Sequence, residues 1–172
     1  MLQLLHPRIG RVIKDFSNTG NTRQVAEHIA GATGGALWEI VAAGPYTEED
    51  LDYSNSNCRA RQEQDDPDAR PEISGIVENF NDYEAVFIGH PIWWGDAPRI
   101  NQTFLETESY DFLGKDVYTF STSASSSGSG AFGDLQREYP SINLIDNLHL
   151  TSRDLVNAEA LVGAWIAGLM GS

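Results

Sequence analysis

The chain has 172 residues, of which 41% are hydrophobic, and its 25 acidic residues against 11 Lys and Arg give a formal net charge of −14. This length fits one domain with a substantial core, and the charge argues against a nucleic-acid partner, because phosphate backbones require clustered positive charge. No apolar run approaches the roughly 20 residues that span a bilayer, and the opening MLQLLHPRIGR makes a poor signal peptide. We therefore expect a soluble, cytoplasmic protein that does not bind a membrane.

The predicted elements alternate, because short apolar runs are followed by amphipathic stretches, a pattern typical of a mostly parallel sheet covered by helices. Strands are predicted at residues 10–16, 36–42, 85–89, 116–122 and 142–150. Helices are predicted at 22–33, 100–107, 130–138 and 158–169, with an irregular helix around 48–53 and a polar surface excursion at 55–72. This pattern predicts one α/β domain over residues 1–172, a three-layer, doubly wound, five-stranded parallel sheet in which 1–9 form an N-terminal extension.

Cysteine and histidine give no sign of a metal site. Cys58 is the single cysteine, so no disulfide can form within the chain, and its polar surroundings predict an inert loop thiol. The four histidines have no metal-ligand spacing with each other or with Cys58. The serines lie in no nucleophile motif, so the sequence assigns no catalytic residue.

The first of three notable loops, SNTGNT at residues 17–22, joins the first predicted strand to the first helix. A helix N-terminus presents unpaired N–H groups and a positive dipole end, so it can bind an anion without a basic side chain. The loop supplies hydroxyls, amides tolerant of unusual dihedral angles and a glycine for close approach: Ser17, Asn18, Thr19, Gly20, Asn21 and Thr22. A phosphate monoester fits this loop, while the signatures of nucleoside triphosphate and dinucleotide loops are absent. The alternative is a capped turn without a ligand.

The tryptophan loop, HPIWWGDAP at residues 90–98, follows the most apolar predicted strand. Trp93 and Trp94 cannot both point into the core from a short loop, so at least one indole should lie at the surface or over a ligand. A planar heteroaromatic ring is one such ligand. Packing against the next helix or a protein contact patch is an equally weighted alternative.

The serine loop, STSASSSGSG at residues 121–130, follows the fourth predicted strand. Such a run of small polar residues is often only flexible. At the same sheet edge as the other two loops, it could instead offer amides and hydroxyls to the polar rim of a ring. The three loops together describe a ligand with a phosphate at one end and a flat ring at the other, which is the shape of flavin mononucleotide (FMN).

With these loops the sequence resembles the flavodoxin-like family, through FSNTGNT, TRQVAEHIA, IGHPIWWGDAP and FSTS, in order along nearly the whole chain. The resemblance implies strand order 2-1-3-4-5, with FMN bound where strands one and three meet. It further implies that the first loop holds the phosphate and that the other two loops flank the ring, with Trp93 preferred over Trp94 for stacking. The implied cofactor contacts are Ser17, Asn18, Thr19, Gly20, Asn21, Thr22, Pro91, Ile92, Trp93, Trp94, Gly95, Thr122, Ser123, Ala124 and Ser125.

Lys14 and Asp15 are unusual, because they put charges where a buried strand should be apolar. Adjacent strand residues point to opposite faces, so these two cannot satisfy each other, and an unpaired buried charge is costly. We favour partners at the sheet surface over a frayed strand or a different path for the N-terminal segment.

The resemblance implies an electron carrier that exchanges electrons with redox partner proteins, in which flavin does the chemistry and the protein sets the potential. The net charge of −14 disfavours added negative charge on the flavin, so a low potential is predicted. The alternative is an FMN-dependent NAD(P)H reductase of quinones or similar small acceptors. Monomer and homodimer both stay open. For His90, beside the tryptophan loop, a structural role is favoured over an effect on flavin protonation.

Overall fold

The computed structural model describes residues 11–15, by their backbone, and 20–171. In that part of the chain the strands are β1 (Arg11–Asp15), β2 (Ala36–Ile40), β3 (Ala85–Pro91), β4 (Asp116–Ser123) and β5 (Leu144–Thr151). The α-helices are α1 (Asn21–Thr33), α2 (Arg59–Asp65), α3 (Ile100–Leu105), α4 (Ser129–Glu138) and α5 (Ala158–Met170). Short 3-10 helices occupy Phe80–Asp82 and Asp154–Asn157.

The strands pair in parallel in the order β2-β1-β3-β4-β5. Because side chains alternate across a strand, Val86 and Ile88 of β3 face one layer and Phe87 faces the other. Helices α1 and α5 cover the Phe87 side, and α2, α3 and α4 contribute to the core on the opposite side. The predicted α/β class with a parallel sheet is confirmed.

Gly89 of β3 shows how closely the neighbouring strands β3 and β4 pack on the side of the sheet that α1 and α5 cover. It pairs with Phe120 of β4, and a Cβ placed on Gly89 would lie 2.0 Å from the Phe120 ring. Phe120 is fully buried. The glycine is therefore needed because the aromatic ring of the neighbouring strand occupies the space of a side chain.

Strand β3 runs two residues farther than predicted, so His90 and Pro91 belong to the sheet and pair with Ser121 and Thr122. Strand β2 is shorter than predicted and ends at Ile40. The chain then turns away, and Ala42 makes an isolated antiparallel bridge to Ile73.

The segment between β2 and β3 was predicted wrongly in two places. Residues 48–53 form turns, not an irregular helix, and the excursion at 55–72 contains α2. Two i,i+4 ion pairs, Arg59–Glu63 and Arg61–Asp65, support this helix. Cys58, in the bend just before α2, is only 3% exposed and packs in the core, a burial that its polar sequence surroundings did not indicate.

Strand β1 is an interior strand of the sheet, because it pairs with both β2 and β3. Lys14 is in register with Glu39 and Gly89, and Asp15 with Ile40. These pairings exclude the alternative in which residues 11–15 follow a path outside the sheet. The side-chain partners of Lys14 and Asp15 lie outside what the structure describes, as does the predicted strand end at Phe16.

Over residues 11–15 and 20–171, no helix has the length and apolar character to cross a membrane. Within the same ranges, no cluster of three or more His, Cys, Asp or Glu side chains could hold a metal ion.

Candidate functional site

A cavity of about 740 Å³ lies at the carboxyl edge of the sheet, where β3 and β4 end and α1 begins. It is lined by Asn21, Glu48, Leu51, Tyr53, residues 91–95, residues 122–126 and Ser152. All three loops singled out in the sequence meet here. Glu48, Leu51, Tyr53, Ser126 and Ser152 were not predicted.

The predicted phosphate-binding residues are only partly described. Ser17, Asn18 and Thr19 lie outside the described residues. Gly20 precedes α1 with φ +70°, a left-handed conformation that favours glycine, and no atom of the described residues lies within 4 Å of a Cβ placed on it. Asn21 lines the cavity at the first position of this 13-residue helix, so the positive end of the helix dipole lies at the cavity.

Thr22 joins two of the loops and does not face the cavity. Its side chain is 0% exposed, and its Oγ1 lies 2.8 Å from Oγ1 of Thr122, which is 3% exposed. The two hydroxyls therefore bond the start of α1 to the end of β4 inside the protein.

The tryptophan loop makes a tight turn at Trp94 and Gly95. Trp93 and Asp96 exchange two backbone hydrogen bonds, with N···O distances of 2.9 and 3.0 Å. The two residues between them have φ +47° and +96°, and a positive φ at both central positions is what a type I′ turn requires. A tryptophan in this conformation costs on the order of 1 kcal/mol, and such strain often marks a functional site.

The two indoles have different environments. Trp93 is 7% exposed and packs edge-on against Tyr46, with ring centroids 5.4 Å apart. Trp94 is half-buried and stacks on Tyr53, with centroids 4.2 Å apart and planes 18° apart. Both tryptophans line the cavity, but the Trp93 ring is held within the core, so Trp94 offers the more accessible indole, and the preference for Trp93 over Trp94 in stacking stays a prediction.

Tyr53 is the main residue that sequence reasoning missed. It lies in the segment between β2 and β3, its side chain is 56% exposed, and its hydroxyl donates a long hydrogen bond of 3.4 Å to the Ile92 carbonyl. An aromatic residue within a polar stretch after a parallel strand was the available signal, because such stretches return to the carboxyl edge.

The serine loop is held by hydrogen bonds, so flexibility alone does not describe it. Ser123 Oγ donates to the Ser126 carbonyl at 2.7 Å. His149 Nε2 lies 2.8 Å from the same carbonyl, and His149 Nδ1 lies 2.8 Å from Ser121 Oγ. Thr122, Ser123, Ala124 and Ser125, all predicted, line the cavity.

His90 is a buried, neutral histidine beneath the tryptophan loop. It is 1% exposed, and burial lowers the pKa of His90 to about 4. Its Nδ1 lies 3.0 Å from the Pro91 carbonyl, which can only accept, so Nδ1 carries the proton. Nε2 is buried and has no partner among the described residues. The expected structural role fits this placement.

Negative charge lies on the side of the cavity formed by residues 48–53. Glu48 lines it, and nearby Asp50 is held as a carboxylate, because hydrogen bonds from the Thr47 backbone N–H and hydroxyl lower the pKa of Asp50. These charges disfavour additional negative charge on a bound ligand, within the limits of salt screening.

The described geometry has clear relatives. The family model for flavodoxin matches residues 11–167. A candidate flavoprotein from Bacteroides eggerthii is 39% identical, with 92% of this chain and 96% of that chain covered and a TM-score of 0.83. A candidate flavoprotein from Bacteroides uniformis is 38% identical, with coverage of 92% and 98% and a TM-score of 0.82.

A flavoprotein from Lactobacillus acidophilus, solved in complex with FMN, is 24% identical over 88% of this chain and 98% of that chain, with a TM-score of 0.65. At that identity the likeness concerns the fold alone. Among curated proteins, no match is found.

Proposed function

This chain belongs to the flavodoxin family, and from that premise we propose that it binds FMN in the cavity at the carboxyl edge and acts as a low-potential electron carrier. We propose redox proteins as its partners, and we propose no binding to nucleic acid or to a membrane. When bound, FMN supplies the electron-transfer chemistry, and the chain positions the ring and sets its potential.

The observation that carries the proposal is Trp94. A strained left-handed conformation places its indole against Tyr53 at the cavity. Tyr53 is 56% exposed and Trp94 is half-buried, so aromatic surface outside their mutual stack lines the cavity and favours a planar ring, because stacking stabilises ring pairs by roughly 0.5–1.5 kcal/mol beyond the area they bury. The cavity volume of about 740 Å³ is in the range that holds cofactor-sized ligands.

The polar groups of the cavity fit the rest of FMN. Asn21 and the dipole of α1 provide the phosphate end. Thr122, Ser123 and Ser125 line the same cavity, and the Ser123 and Ser125 hydroxyls can bond to the polar rim of the ring.

The acidic side of the cavity supports a low potential. Glu48 lines the cavity and Asp50 is a carboxylate two residues away, and negative charge beside a bound ring opposes the electron density that the ring gains on reduction. The net charge of −14 acts in the same direction.

Titration with FMN and with riboflavin, followed by absorbance and flavin fluorescence, tests the cofactor. We expect FMN to bind with quenched fluorescence, and riboflavin, which lacks the phosphate, to bind at least about tenfold more weakly, a difference of about 1.4 kcal/mol. No spectral change with excess FMN would overturn the proposal.

Incubation of the FMN-loaded protein with NAD(P)H and a quinone tests the carrier role. A carrier should show no turnover until a separate reductase is added. Steady NAD(P)H oxidation by the protein alone would contradict the carrier role and support an FMN-dependent reductase.

A further inference from the structure

His149 contacts the serine loop from outside the cavity, and no role for it follows from the proposed cofactor site. It lies on β5, in register with Ser121 of β4, and is half-buried. Its ring nitrogens contact Ser121 Oγ and the Ser126 carbonyl, both at 2.8 Å, and Nε2 also lies 3.2 Å from Ser123 Oγ.

These contacts fix the tautomer of the neutral ring. The Ser126 carbonyl can only accept, so His149 Nε2 carries the proton and donates it. Nδ1 then has a lone pair and accepts from the Ser121 hydroxyl. The Ser126 carbonyl also accepts from Ser123 Oγ at 2.7 Å, so two protein donors use its lone pairs and hold it toward His149.

The ring also contacts the far end of the loop, at Gly128. This glycine has φ +58°, and a Cβ added to it would lie 2.4 Å from His149 Nδ1 and 2.6 Å from Cε1. The imidazole therefore fills the space next to Gly128, where α4 begins. His149 restrains the loop at two points, residue 126 through a hydrogen bond and residue 128 through packing.

We infer that His149 is a positioning residue, which fixes the backbone of residues 123–128 so that the Ser126 carbonyl is directed away from the proposed FMN ring. This inference rests on the proposed function. Without the hydrogen bond from His149, the Ser126 carbonyl could turn toward the ring. Its negative dipole end would then destabilise reduced FMN more than oxidised FMN, because the reduced ring carries more electron density. His149 thus contributes to the potential without touching the cofactor.

Two substitutions separate the bonds. In His149→Gln the amide nitrogen lies about where Nε2 was, so the donor to Ser126 is kept. In His149→Asn the carbonyl oxygen replaces Nδ1 and can accept from Ser121, but the side chain is too short to reach Ser126. We expect His149→Gln to retain the wild-type potential. In His149→Asn the ratio of the affinities for oxidised and reduced FMN should change by about tenfold. This change corresponds to a shift of about 30 mV in a two-electron potential.

Gly128→Ala tests the packing contact without changing residue 149, since the added methyl would push the His149 ring out of its position. Gly114→Ala is the matched control, because Gly114 also has a positive φ, +74°, but no atom within 4 Å of an added Cβ. We expect Gly128→Ala to shift the potential as His149→Asn does, and Gly114→Ala to leave it unchanged.

A readout without FMN distinguishes failure of this inference from failure of the proposed function. NMR order parameters of residues 124–128 should fall from rigid values near 0.85 toward 0.6 in His149→Asn and Gly128→Ala, and stay high in His149→Gln and Gly114→Ala. Equal order parameters in the Asn and Gln variants would overturn the inference. The inference would also be overturned if the wild type binds FMN and His149→Asn has the same potential as the wild type. Absence of FMN binding by the wild type would instead overturn the proposed function.

Discussion

The hydroxyls of Thr22 and Thr122 lie 2.8 Å apart, although 100 residues separate them in the chain. Both side chains are almost fully buried. Thr22 is the second residue of α1 and Thr122 lies at the end of β4, so a single buried hydrogen bond holds two elements that border the cavity at a fixed separation.

Thr22→Val should lower the free energy of unfolding by about 1–3 kcal/mol, because the shape is kept while the Thr122 hydroxyl loses this partner. Urea unfolding of Thr22→Val, Thr122→Val and the double variant measures the coupling. We expect the double variant to lose clearly less than the sum of the single losses. Strict additivity would contradict a direct bond between the two hydroxyls.

Trp94→Asn should separate stability from binding. Asparagine tolerates a positive φ better than tryptophan does, so relief of strain offsets the lost stack with Tyr53. We expect the free energy of unfolding to change by less than about 1 kcal/mol, while FMN affinity falls by roughly tenfold because the stacking face is gone. Tyr46→Phe, which leaves the Trp93 contact in place, serves as a control. A large loss of stability with unchanged FMN affinity would show that Trp94 is only structural.

Gly89→Ala should be severely destabilising, because the added methyl overlaps the buried Phe120 ring. Overpacking of this kind costs typically about 1–3 kcal/mol and sometimes more. Thermal or urea unfolding measures the loss, and Phe120→Leu in the same chain should recover part of it. Gly31→Ala is the control, since nothing lies within 4 Å of its added Cβ. A stable Gly89→Ala protein would contradict the packing between β3 and β4.

His90 should make the protein less stable in acid. The pKa of His90 is lowered by burial from 6.5 to about 4, so the unfolded chain binds a proton between these values that the folded chain does not. Stability is therefore complete above pH 6.5 and is lost as the pH falls toward 4, by about 3 kcal/mol from this group.

Urea unfolding from pH 7 to 4 checks this contribution by comparison with His90→Asn, whose amide can still donate to Pro91. The difference in stability between wild type and variant should shrink by about 3 kcal/mol over that range. Parallel curves would show that His90 is not held neutral.

The sequence predicts those elements whose signal is local. Helix α1 follows from the spacing of Val25, Ala26 and Ile29, all fully buried, and the centre of β3 follows from an uninterrupted apolar run. Helix α2 was missed because its sequence, RARQEQD, is polar and is stabilised by i,i+4 ion pairs. Hydrophobic periodicity carries no signal for such a helix.

In the candidate site, too, the residues with a local sequence signal were predicted and the others were missed. The loops after β1, β3 and β4 could be found, because each directly follows a strand. Tyr53 and Glu48 were missed, since their segment is held at the cavity by contacts made elsewhere along it, among them the Ala42–Ile73 bridge and the packing of Tyr46 on Trp93. Which indole is the more exposed depended on the turn at Trp94 and Gly95, whose backbone angles no sequence pattern specified.

The most direct test of the account is a crystal structure of the protein grown with FMN. We predict that the ring lies in the cavity against the Trp94 and Tyr53 side and next to the serine loop, with its phosphate at the N-terminus of α1. FMN bound elsewhere, or bound with its phosphate away from α1 and its ring out of contact with Trp94, would contradict the proposed site.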